Sequence, residues 1–428
     1  MHTKEIIRAL ESGALDSALQ ALYPADSIPA QRTRYAGVVQ ELAAQFGEEG
    51  DILLFSAPGR TELGGNHTDH QGGHVLAGSV DLDIIAAVRK TDSGVIRLKS
   101  SGFPLDTVSL DTLTPVPEET GTSAALLRGI AARFTELGYP VTGFDACTVS
   151  NVLRGSGLSS SAAFEVLAGR ICSELFAGGA VDAVQIAQIG QYAENVFFGK
   201  PCGLMDQMAC SVGGVIAIDF GGDDPVLTRA DADPEREGYA LCILDSGADH
   251  ADLTDAYAAI PAEMCTVANA LGAERLSGAD KAAFFRSLPE LRKRCGDRAV
   301  LRAMHYFRDD ARVMRQIRDL QNGDFAAFLQ EVTASGHSSA QLLQNVSTYT
   351  DPSAQAVALT IALCEELLAG RGAVRVHGGG FAGTVQAYVP LAELSAFKRE
   401  TEAVLGEGRC HVLHIRSAGA VMLTPINE

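Results

Sequence analysis

The most informative stretch of this chain is residues 56–73, with the sequence SAPGRTELGGNHTDHQGG. It places a cation, an amide, imidazoles and a carboxylate between glycines, directly after the apolar run at residues 52–55. A buried core element rarely carries so many polar groups, because each one left unpaired costs about 1–3 kcal/mol. A loop that holds a polyhydroxylated ligand uses such groups. The stretch therefore predicts a loop at a small-molecule site.

Composition limits the possible classes of protein. A chain of 428 residues exceeds the usual size of one hydrophobic core, so two domains are expected. The hydrophobic share of 46% and the 44 glycines indicate a globular chain with many tight turns. A net charge of −19 argues against a nucleic-acid partner or an anionic membrane surface. A small molecule is the expected partner.

Cysteine usage and the absence of leader signals bear on the compartment. The nine cysteines are odd in number and include no Cys-x-x-Cys pair, which is typical of reduced thiols in the cytosol. Residues 1–8 lack the apolar stretch of a signal peptide. No window approaches the roughly 18 uninterrupted apolar residues of a membrane span. We expect a soluble cytoplasmic protein and a monomer.

The pattern along the chain alternates between helix and strand. Residues 1–48 show helical spacing and predict an N-terminal helical extension. The acidic, Gly- and Pro-bearing stretch at 221–234 predicts a domain boundary, with domains at 1–225 and 226–428. Mixed strands and helices in both halves predict the α+β class. Strands are predicted at residues 52–55, 75–77, 84–89, 95–98, 144–149, 215–218, 241–244, 374–377 and 385–389.

A second polar segment, RGSGLSSSAAFE, occupies residues 154–165. Glycines allow close backbone approach, and the helix predicted from about Ser160 aims free N–H groups and a positive dipole end at this turn. Phosphate is the natural occupant, although no Gly-Lys-Ser/Thr follows and the segment is not a Walker A loop. A serine-capped helix after a glycine turn explains the same residues without a ligand. Both interpretations remain open on this segment alone.

The third segment joins Glu194 to residues 201–208, PCGLMDQM. Two carboxylates twelve residues apart can serve a metal ion and a reacting hydroxyl. Asp206 lies between two methionines, where a charge needs a partner, and Arg60 is the leading candidate. The arginine would keep Asp206 ionised against desolvation. An ordinary capping or salt-bridged aspartate is the simpler alternative.

Other segments carry weaker signals. Three consecutive glycines at 378–380, between two predicted strands, imply close backbone contact and are moderate evidence for a phosphate site. Asp351 and Pro352 predict the start of a helix that stops at Gly370. The histidines and aspartate of residues 67–74 fit no common metal template, so a zinc or iron site is disfavoured. The remaining histidines, His305, His337, His411 and His414, are interpreted as structural or surface residues.

Together the four segments resemble the GHMP kinase superfamily, and within it the galactokinases. Residues 58–73 resemble the galactokinase signature, in which Gly-Arg is followed by an Asn-Leu-like pair and by Gly-Glu-His-Thr-Asp-Tyr. Residues 155–163 resemble the Gly-Leu-Gly-Ser-Ser-Ala phosphate loop, 202–207 the Cys-Gly-Ile-Met-Asp-Gln motif, and 378–383 the Gly-Gly-Gly-Phe-Gly-Gly motif. The four occur in order from about residue 50 to the C-terminus. The order makes the superfamily assignment strong.

The resemblance implies a fold, a reaction and roles for residues. It implies an N-terminal domain like domain 2 of ribosomal protein S5, a ferredoxin-like C-terminal domain, and transfer of the ATP γ-phosphoryl to the anomeric hydroxyl of a sugar. Asp206 would be the base or orienting group with Arg60 beside it, and Ser161, or else Ser160, would hold Mg²⁺ with Glu194. The phosphates would lie on Gly155, Ser156, Gly157, Leu158, Ser159, Ser160 and Ser161, and the sugar on Asn66, His67, Asp69, Gly203 and Tyr257.

Departures from the family pattern concern the substrate. The Glu of the signature is Asn66 here and its Tyr is His70, which removes a carboxylate expected at the C6 end of the sugar. Residues 69–73, DHQGG, are similar to the plant galacturonokinases, so galacturonate is a rival substrate. Some galactokinase relatives are non-catalytic sugar sensors, but the intact Ser161, Glu194 and Asp206 favour an enzyme. An isoprenoid kinase is disfavoured by the sugar-kinase-like residues 58–73.

Overall fold

The computed structural model describes residues 1–153, 157–222, 224–248, 253–347 and 351–423. Within these residues the chain builds two β-sheets, one of eight strands and one of four. Helices cover both sheets, in agreement with the predicted α+β class. Among the helices of the described part, none is long and apolar enough to cross a membrane.

The larger sheet holds the first seven strands and the last. Its path runs β12-β1-β2-β5-β3-β4, with β6 paired to β2 and β7 to β6. Its strands are β1 Leu53–Gly64, β2 His74–Lys90, β3 Val95–Ser100, β4 Leu105–Ser109, β5 Phe144–Ser150, β6 Val215–Asp219, β7 Val226–Ala230 and β12 Val421–Leu423.

The smaller sheet has the order β11-β8-β10-β9, and all of its neighbours are antiparallel. Its strands are β8 Tyr239–Asp245, β9 Ala373–His377, β10 Thr384–Pro390 and β11 Cys410–Leu413. In chain order this is the 4-1-3-2 arrangement of a β-α-β-β-α-β unit, the ferredoxin-like topology. The resemblance predicted this part of the fold.

Fourteen α-helices lie within the described residues. They are α1 Thr3–Ser12, α2 Asp16–Gln20, α3 Ile28–Phe46, α4 Ser123–Glu136, α5 Ser160–Ala177, α6 Ala183–Tyr192, α7 Met205–Val212, α8 Thr254–Ala270, α9 Lys281–Arg286, α10 Leu288–Cys295, α11 Asp297–Gln321, α12 Phe325–Ser338, α13 Ala356–Leu368 and α14 Leu394–Leu405. The predicted helical extension is present as α1 to α3, and the helix predicted from Ser160 is α5.

Helices pack on both faces of the larger sheet, which explains its apolar strands. Phe55, Val88 and Phe144 join α4 and α5 in the main core. On the other face, Leu54 and Ile85 pack against Val38 of α3 in a second core. Because both faces are covered, β1 is buried along almost its whole length instead of alternating between core and solvent.

Several predicted boundaries differ from the structure. Residues 56–64 belong to β1, so only the second half of the predicted loop is a turn. The strands predicted at 75–77 and 84–89 are one continuous strand, β2. The helix predicted to start at Asp351 and Pro352 starts at Ala356 instead, because Asp351 Oδ1 accepts hydrogen bonds from the amide and hydroxyl of Ser353 in a separate turn.

The predicted domain boundary at 225 and 226 separates two strands that pair with each other. Strand β7 forms an antiparallel hairpin with β6 and so lies in the larger sheet. The last strand, β12, also returns to the larger sheet beside β1. The larger sheet therefore extends past residue 225 and takes its final strand from the far end of the sequence. The predicted division into domains stays a prediction.

Candidate active site

The strongest sequence prediction, contact between Arg60 and Asp206, is confirmed. Arg60 Nε donates to Asp206 Oδ1 at 2.8 Å, and Arg60 Nη2 lies 2.7 Å from the same oxygen. The guanidinium is buried, whereas the aspartate side chain is 33% exposed. Burial opposes the charge of Arg60, but the carboxylate outweighs burial and raises the pKa of Arg60 above its usual value. Arg60 is therefore charged and fixed, and the Asp206 side of the pair is open.

Local structure aims both side chains at this point. The pairing of β1 with β2 shifts register between Pro58 and Arg60, as at a β-bulge, which re-aims the neighbouring side chains. Asp206 occupies the first turn of α7, where the helix dipole favours a carboxylate. Its second oxygen, Oδ2, accepts a hydrogen bond from the Ser159 hydroxyl. Asp206 is thus held from two sides.

The predicted phosphate loop lies beside this pair. Gly157 has a φ of 72° and its carbonyl accepts a hydrogen bond from Arg60 Nη1. Ser159 has the left-handed φ of 55° directly before α5. Ser160 and Ser161 form the first turn of that helix, with Ser161 exposed. Leu158 is buried, and its carbonyl accepts the Arg60 amide at 3.1 Å. Gly155 and Ser156 lie outside the described residues.

A cluster of buried acids lies behind Asp206. Gln207 Nε2 donates to Glu165 Oε2 and to Glu194 Oε2, each at 2.9 Å. Burial, with the Glu194 charge adding to it, raises the pKa of Glu165 to about 8. Glu194 lies in the wider helical turn Ala193–Phe198, a feature frequent at functional sites. Sequence reasoning assigned a role to Glu194 but none to Glu165 or Gln207, although both lie in the quoted segments.

The turn after β1 carries two of the predicted sugar residues. His67 has a φ of 58°, and its Nε2 lies 2.9 Å from the carbonyl oxygen of Gly379. Asp69 faces Gly203 so closely that a Cβ there would lie 2.9 Å from Asp69 Oδ2. Burial raises the pKa of Asp69, and the nearby Asp206 acts in the same direction. Asp69, Gly203 and Asp206 therefore share one region of the site.

His70 occupies the position of the Tyr in the family signature and lies beside the His67 ring, with centroids 5.7 Å apart. Burial lowers the pKa of His70 to about 3, with His67 and His305 adding to the effect. Its Nδ1 is 3.3 Å from Gln71 Nε2, and its Nε2 is buried with no hydrogen-bond partner within the described part of the chain. His70 is neutral at physiological pH.

Asn66 lies behind the turn and faces away from solvent. Its Nδ2 donates to Glu62 Oε1 at 3.1 Å and to the Gly378 carbonyl at 2.6 Å. Its Oδ1 accepts from Asn345 Nδ2 at 2.8 Å. The side chain is fully buried, so every polar atom of the amide is already engaged by protein. The predicted sugar contact of Asn66 stays a prediction that would need these bonds to rearrange.

His305 was interpreted as a structural or surface residue, and it occupies a structural position against the turn. The side chain is buried, and its Nε2 is 2.9 Å from the carbonyl oxygen of Asn66. Its Nδ1 is 2.9 Å from Ser338 Oγ. His305 supports the turn from beneath, because α11 passes under residues 64–73. The long separation in sequence hid this contact.

The predicted sugar residue Tyr257 and the three-glycine run meet on the other side of the turn. The Tyr257 hydroxyl donates to the Gly380 carbonyl at 2.7 Å. Its ring crosses Phe381 at right angles, with centroids 5.4 Å apart. A Cβ at Gly379 would lie 2.6 Å from the Tyr257 ring, which explains why glycine is needed there. The glycine run therefore borders the predicted sugar residues.

Comparisons with known proteins show the family of this chain. Residues 40–90 match the family described as the galactokinase galactose-binding signature, and residues 125–214 match the GHMP kinases N-terminal domain. A galactokinase of Streptomyces coelicolor is 31% identical over 354 residues, which cover 82% of this chain and 87% of that protein. A galactokinase of Streptococcus suis is 30% identical over 370 residues, covering 82% and 88%. The chain belongs to the galactokinase family.

Comparison with solved structures identifies the fold of this chain. The Lactococcus lactis galactokinase, complexed with galactose, superposes with a TM-score of 0.75 at 23% identity, covering 89% of this chain and 98% of that one. A mevalonate kinase of L. major gives a TM-score of 0.57 at 15% identity, covering 85% and 96%. These likenesses show the GHMP kinase fold. Family and fold together make the chain an ATP-dependent sugar kinase, a phosphotransferase with an alcohol group as acceptor.

Proposed function

We propose that this chain transfers the γ-phosphoryl group of ATP to the anomeric hydroxyl of galactose at the Arg60–Asp206 pair. The observation that carries the proposal is the position of Asp206, which is bonded to Arg60 and to Ser159 where α5 begins. One carboxylate thus touches both the strand that leads into the sugar signature and the turn that leads into the phosphate helix. The names of the relatives supply galactose as the sugar.

In the proposed step, a bond forms between the anomeric oxygen and the γ-phosphorus, and the bond from that phosphorus to the bridging oxygen of ADP breaks. The hydroxyl proton leaves towards Asp206 or solvent. Arg60 holds Asp206 in place and keeps a positive charge beside the reacting oxygens. Positioning and charge neutralisation supply most of the catalysis in such transfers. The geometry suits this requirement, because Arg60 is buried and cannot turn away.

The nucleotide is proposed to lie on residues 155–161 with its phosphates at the start of α5. Support comes from the free N–H groups and positive dipole end of an eighteen-residue helix. The left-handed Ser159 and Gly157 bring the backbone of this turn close to Arg60. The outer face of the turn remains accessible at Gly157 and Ser161.

Ser161 and Glu194 are proposed to hold Mg²⁺. The donor set fits a hard cation, because one hydroxyl and one carboxylate leave room for waters and phosphate oxygens. Glu194 Oε1 has a contact of 3.4 Å with the largely exposed Lys200, which can be displaced. When bound, the ion would neutralise charge on the β- and γ-phosphates.

The sugar is proposed to contact His67, Asp69, Gly203 and Tyr257, with Asn66 included if its amide rearranges. Galacturonate is the second candidate, because no carboxylate stands at position 66 to repel a C6 carboxylate. However, Asn66 is buried and engaged, so the substitution alone does not open a pocket for that charge. Galactose is the better supported substrate.

The setting of the reaction is proposed to be the cytoplasm, with the chain acting as a monomer. Support for the compartment comes from nine free cysteines. Six cysteines, among them Cys172 and Cys364, are buried, as small apolar side chains would be. Sedimentation at several protein concentrations tests the monomer.

A panel of sugars tests the proposed function. We expect Mg-ATP and galactose to yield ADP and a 1-phosphate ester, detected by coupled ADP release and ³¹P spectroscopy. Glucose, galacturonate and mevalonate serve as comparison acceptors. If galacturonate is turned over faster than galactose, the uronic acid is the preferred substrate. Binding of a sugar without any ADP release would support a sensor and overturn the proposal.

A further inference from the structure

The three-glycine run presents its carbonyl groups to the predicted sugar residues. Asn66 Nδ2 donates to the Gly378 carbonyl at 2.6 Å, and the Tyr257 hydroxyl donates to the Gly380 carbonyl at 2.7 Å. Between them, the Gly379 carbonyl lies 2.9 Å from His67 Nε2. Carbonyl oxygens accept hydrogen bonds and repel phosphate oxygens. The run predicted to contact phosphate is therefore turned, on this side, towards the sugar residues.

A buried ion pair lies directly behind these contacts. Arg375 of β9 donates through Nη2 to Glu62 Oε1 of β1. The side chain of Arg375 is 0% exposed and that of Glu62 is 5% exposed. Asn66 Nδ2 donates to the same carboxylate oxygen at 3.1 Å. One carboxylate therefore joins a strand of the larger sheet, a strand of the smaller sheet and the sugar turn.

The pair is poorly optimised for stability. Arg375 Nε and Nη1 are buried and have no hydrogen-bond partner in the part of the chain that the structure describes. Removing two charges from water costs much of what their attraction returns, so a buried pair is weak evidence for stability. Fixing one geometry is the better attested use of such a pair. Here the fixed geometry is that of the sugar turn relative to β9.

The sequence of the turn shows an exchange at these positions. The galactokinase signature has an Asn-like residue where this chain has Glu62, and Glu where this chain has Asn66. The structure brings the two side chains into contact. The carboxylate absent from position 66 is therefore still present in the pair, four residues earlier and facing Arg375.

We propose that Glu62 and Arg375 form an inter-sheet clamp that fixes Asn66 and thereby positions the adjacent His67 for the sugar. Both are positioning residues, since they act through Asn66 and the carbonyls of residues 378–380. The clamp binds the sugar turn to the smaller sheet through Glu62, whereas Gly157 of the nucleotide turn is held through its carbonyl by Arg60 of the same strand β1. The proposal rests on the proposed function for the identity of the ligand.

The experiment measures KM for galactose, KM for ATP, kcat and melting temperature, with galactose affinity also determined by calorimetry. Glu62→Gln keeps the shape and removes the charge that holds Arg375. We expect it to raise KM for galactose about tenfold, with KM for ATP within about twofold, because the misplaced group is a sugar contact. Arg375→Lys keeps the charge but loses the planar guanidinium group. It should also raise KM for galactose more than KM for ATP, by a smaller factor.

An exchange variant gives the sharper test. Asn66→Glu alone places two carboxylates together in a buried site and should bind galactose poorly. The double variant Glu62→Asn with Asn66→Glu restores one carboxylate and one amide to the pair. We expect it to recover galactose affinity to within about threefold of the unmodified protein, since residues in one network couple strongly.

Asp145→Asn is the matched control. Asp145 is also buried and ionically paired, with Arg89 at 2.9 Å and Arg97 at 2.7 Å, but it lies on β5 away from the sugar turn. It should lower the melting temperature without changing KM for galactose. A Glu62→Gln variant that loses stability with unchanged galactose KM, or a double variant no better than Asn66→Glu, overturns the clamp. If the unmodified protein binds no galactose, the proposed function fails instead, which is a separate result.

Discussion

Arg60 and Glu62 are two residues apart on one strand, and they illustrate two uses of a charged pair. Arg60 reaches Asp206, whose side chain is one-third exposed, at 33%. Glu62 reaches Arg375, and both of their side chains are sealed from solvent. The carboxylate of the first pair is partly open to solvent, so that a ligand can reach it, whereas the second pair can only hold structure. Exposure of the partner, not strength of the ion pair, separates a reactive site from a support.

The largest expected effect is on the open pair. Asp206→Asn keeps the side-chain volume but removes the charge that accepts or orients the hydroxyl proton. We expect kcat to fall about 10²- to 10⁴-fold, the usual range for such a group, while ATP still binds. Single-turnover kinetics and nucleotide titration measure the two effects. Asp297→Asn is the control, because Asp297 is also paired with an arginine in the first turn of a helix but is 66% exposed. Retained turnover in Asp206→Asn would remove that residue from catalysis.

The next largest expected effect is a loss of stability when the buried Glu62–Arg375 pair is broken. Arg375→Met leaves Glu62 charged and buried without its partner, which should lower the free energy of unfolding by about 3–5 kcal/mol. Urea denaturation measures it. Arg60→Met should cost less, because Asp206 can turn to water. Equal losses of stability in the two variants would contradict the distinction between the pairs.

A smaller effect is expected at Gly203, whose backbone lies against the Asp69 carboxylate. Gly203→Ala places a methyl group 2.9 Å from Asp69 Oδ2, so Asp69 must shift. We expect KM for galactose to rise roughly tenfold, as for a displaced contact, with little change in melting temperature. Gly37→Ala on α3 has no atom within 4 Å of the new methyl group and should stabilise the helix slightly. An unchanged galactose KM in Gly203→Ala would place the sugar away from Asp69.

The smallest effect concerns an ion pair between β2 and α11. The Asp310 carboxylate, 2.8 Å from His74 Nδ1, raises the pKa of His74. A raised pKa in the folded state means that the pair contributes stability below the unfolded pKa, and that this contribution is lost as pH rises through the folded pKa. His74→Asn should therefore cost about 0.5–1 kcal/mol at pH 5.5 and much less at pH 8.5. Equal losses of unfolding free energy at both pH values would show that the pair of protonated His74 with Asp310 does not supply this stability.

Local signals in the sequence predicted the contact between Arg60 and Asp206 and the helix that starts at Ser160. Asp206 lies between two methionines, where a charge needs a cationic partner, and Arg60 is the cation in the glycine-rich stretch at residues 56–73. Ser160 marked the start of α5, because serine and glycine before an apolar helical pattern form a recognisable boundary. These features depend on neighbours in sequence, and the structure confirms them.

Features that depend on distant residues could not be predicted. Glu62 and Arg375 are 313 residues apart, and Asn66 and Asn345 are 279 apart, so no local pattern reveals either contact. The strand at residues 56–64 was predicted as a loop, because polar and glycine residues hid a strand that is covered on both faces. Its polar side chains find partners on β2, α7, β9 and β10 that only the fold supplies.

The return of β12 to the larger sheet has a consequence for the order of synthesis. Strand β1, which carries Arg60, has β2 on one edge and residues 421–423 on the other. On the ribosome, that second edge stays open until residues 421–423 have been translated. Until then, the newly synthesised first half of the chain has an unpaired edge on β1. Other nascent chains or chaperones can reach that edge before β12 emerges.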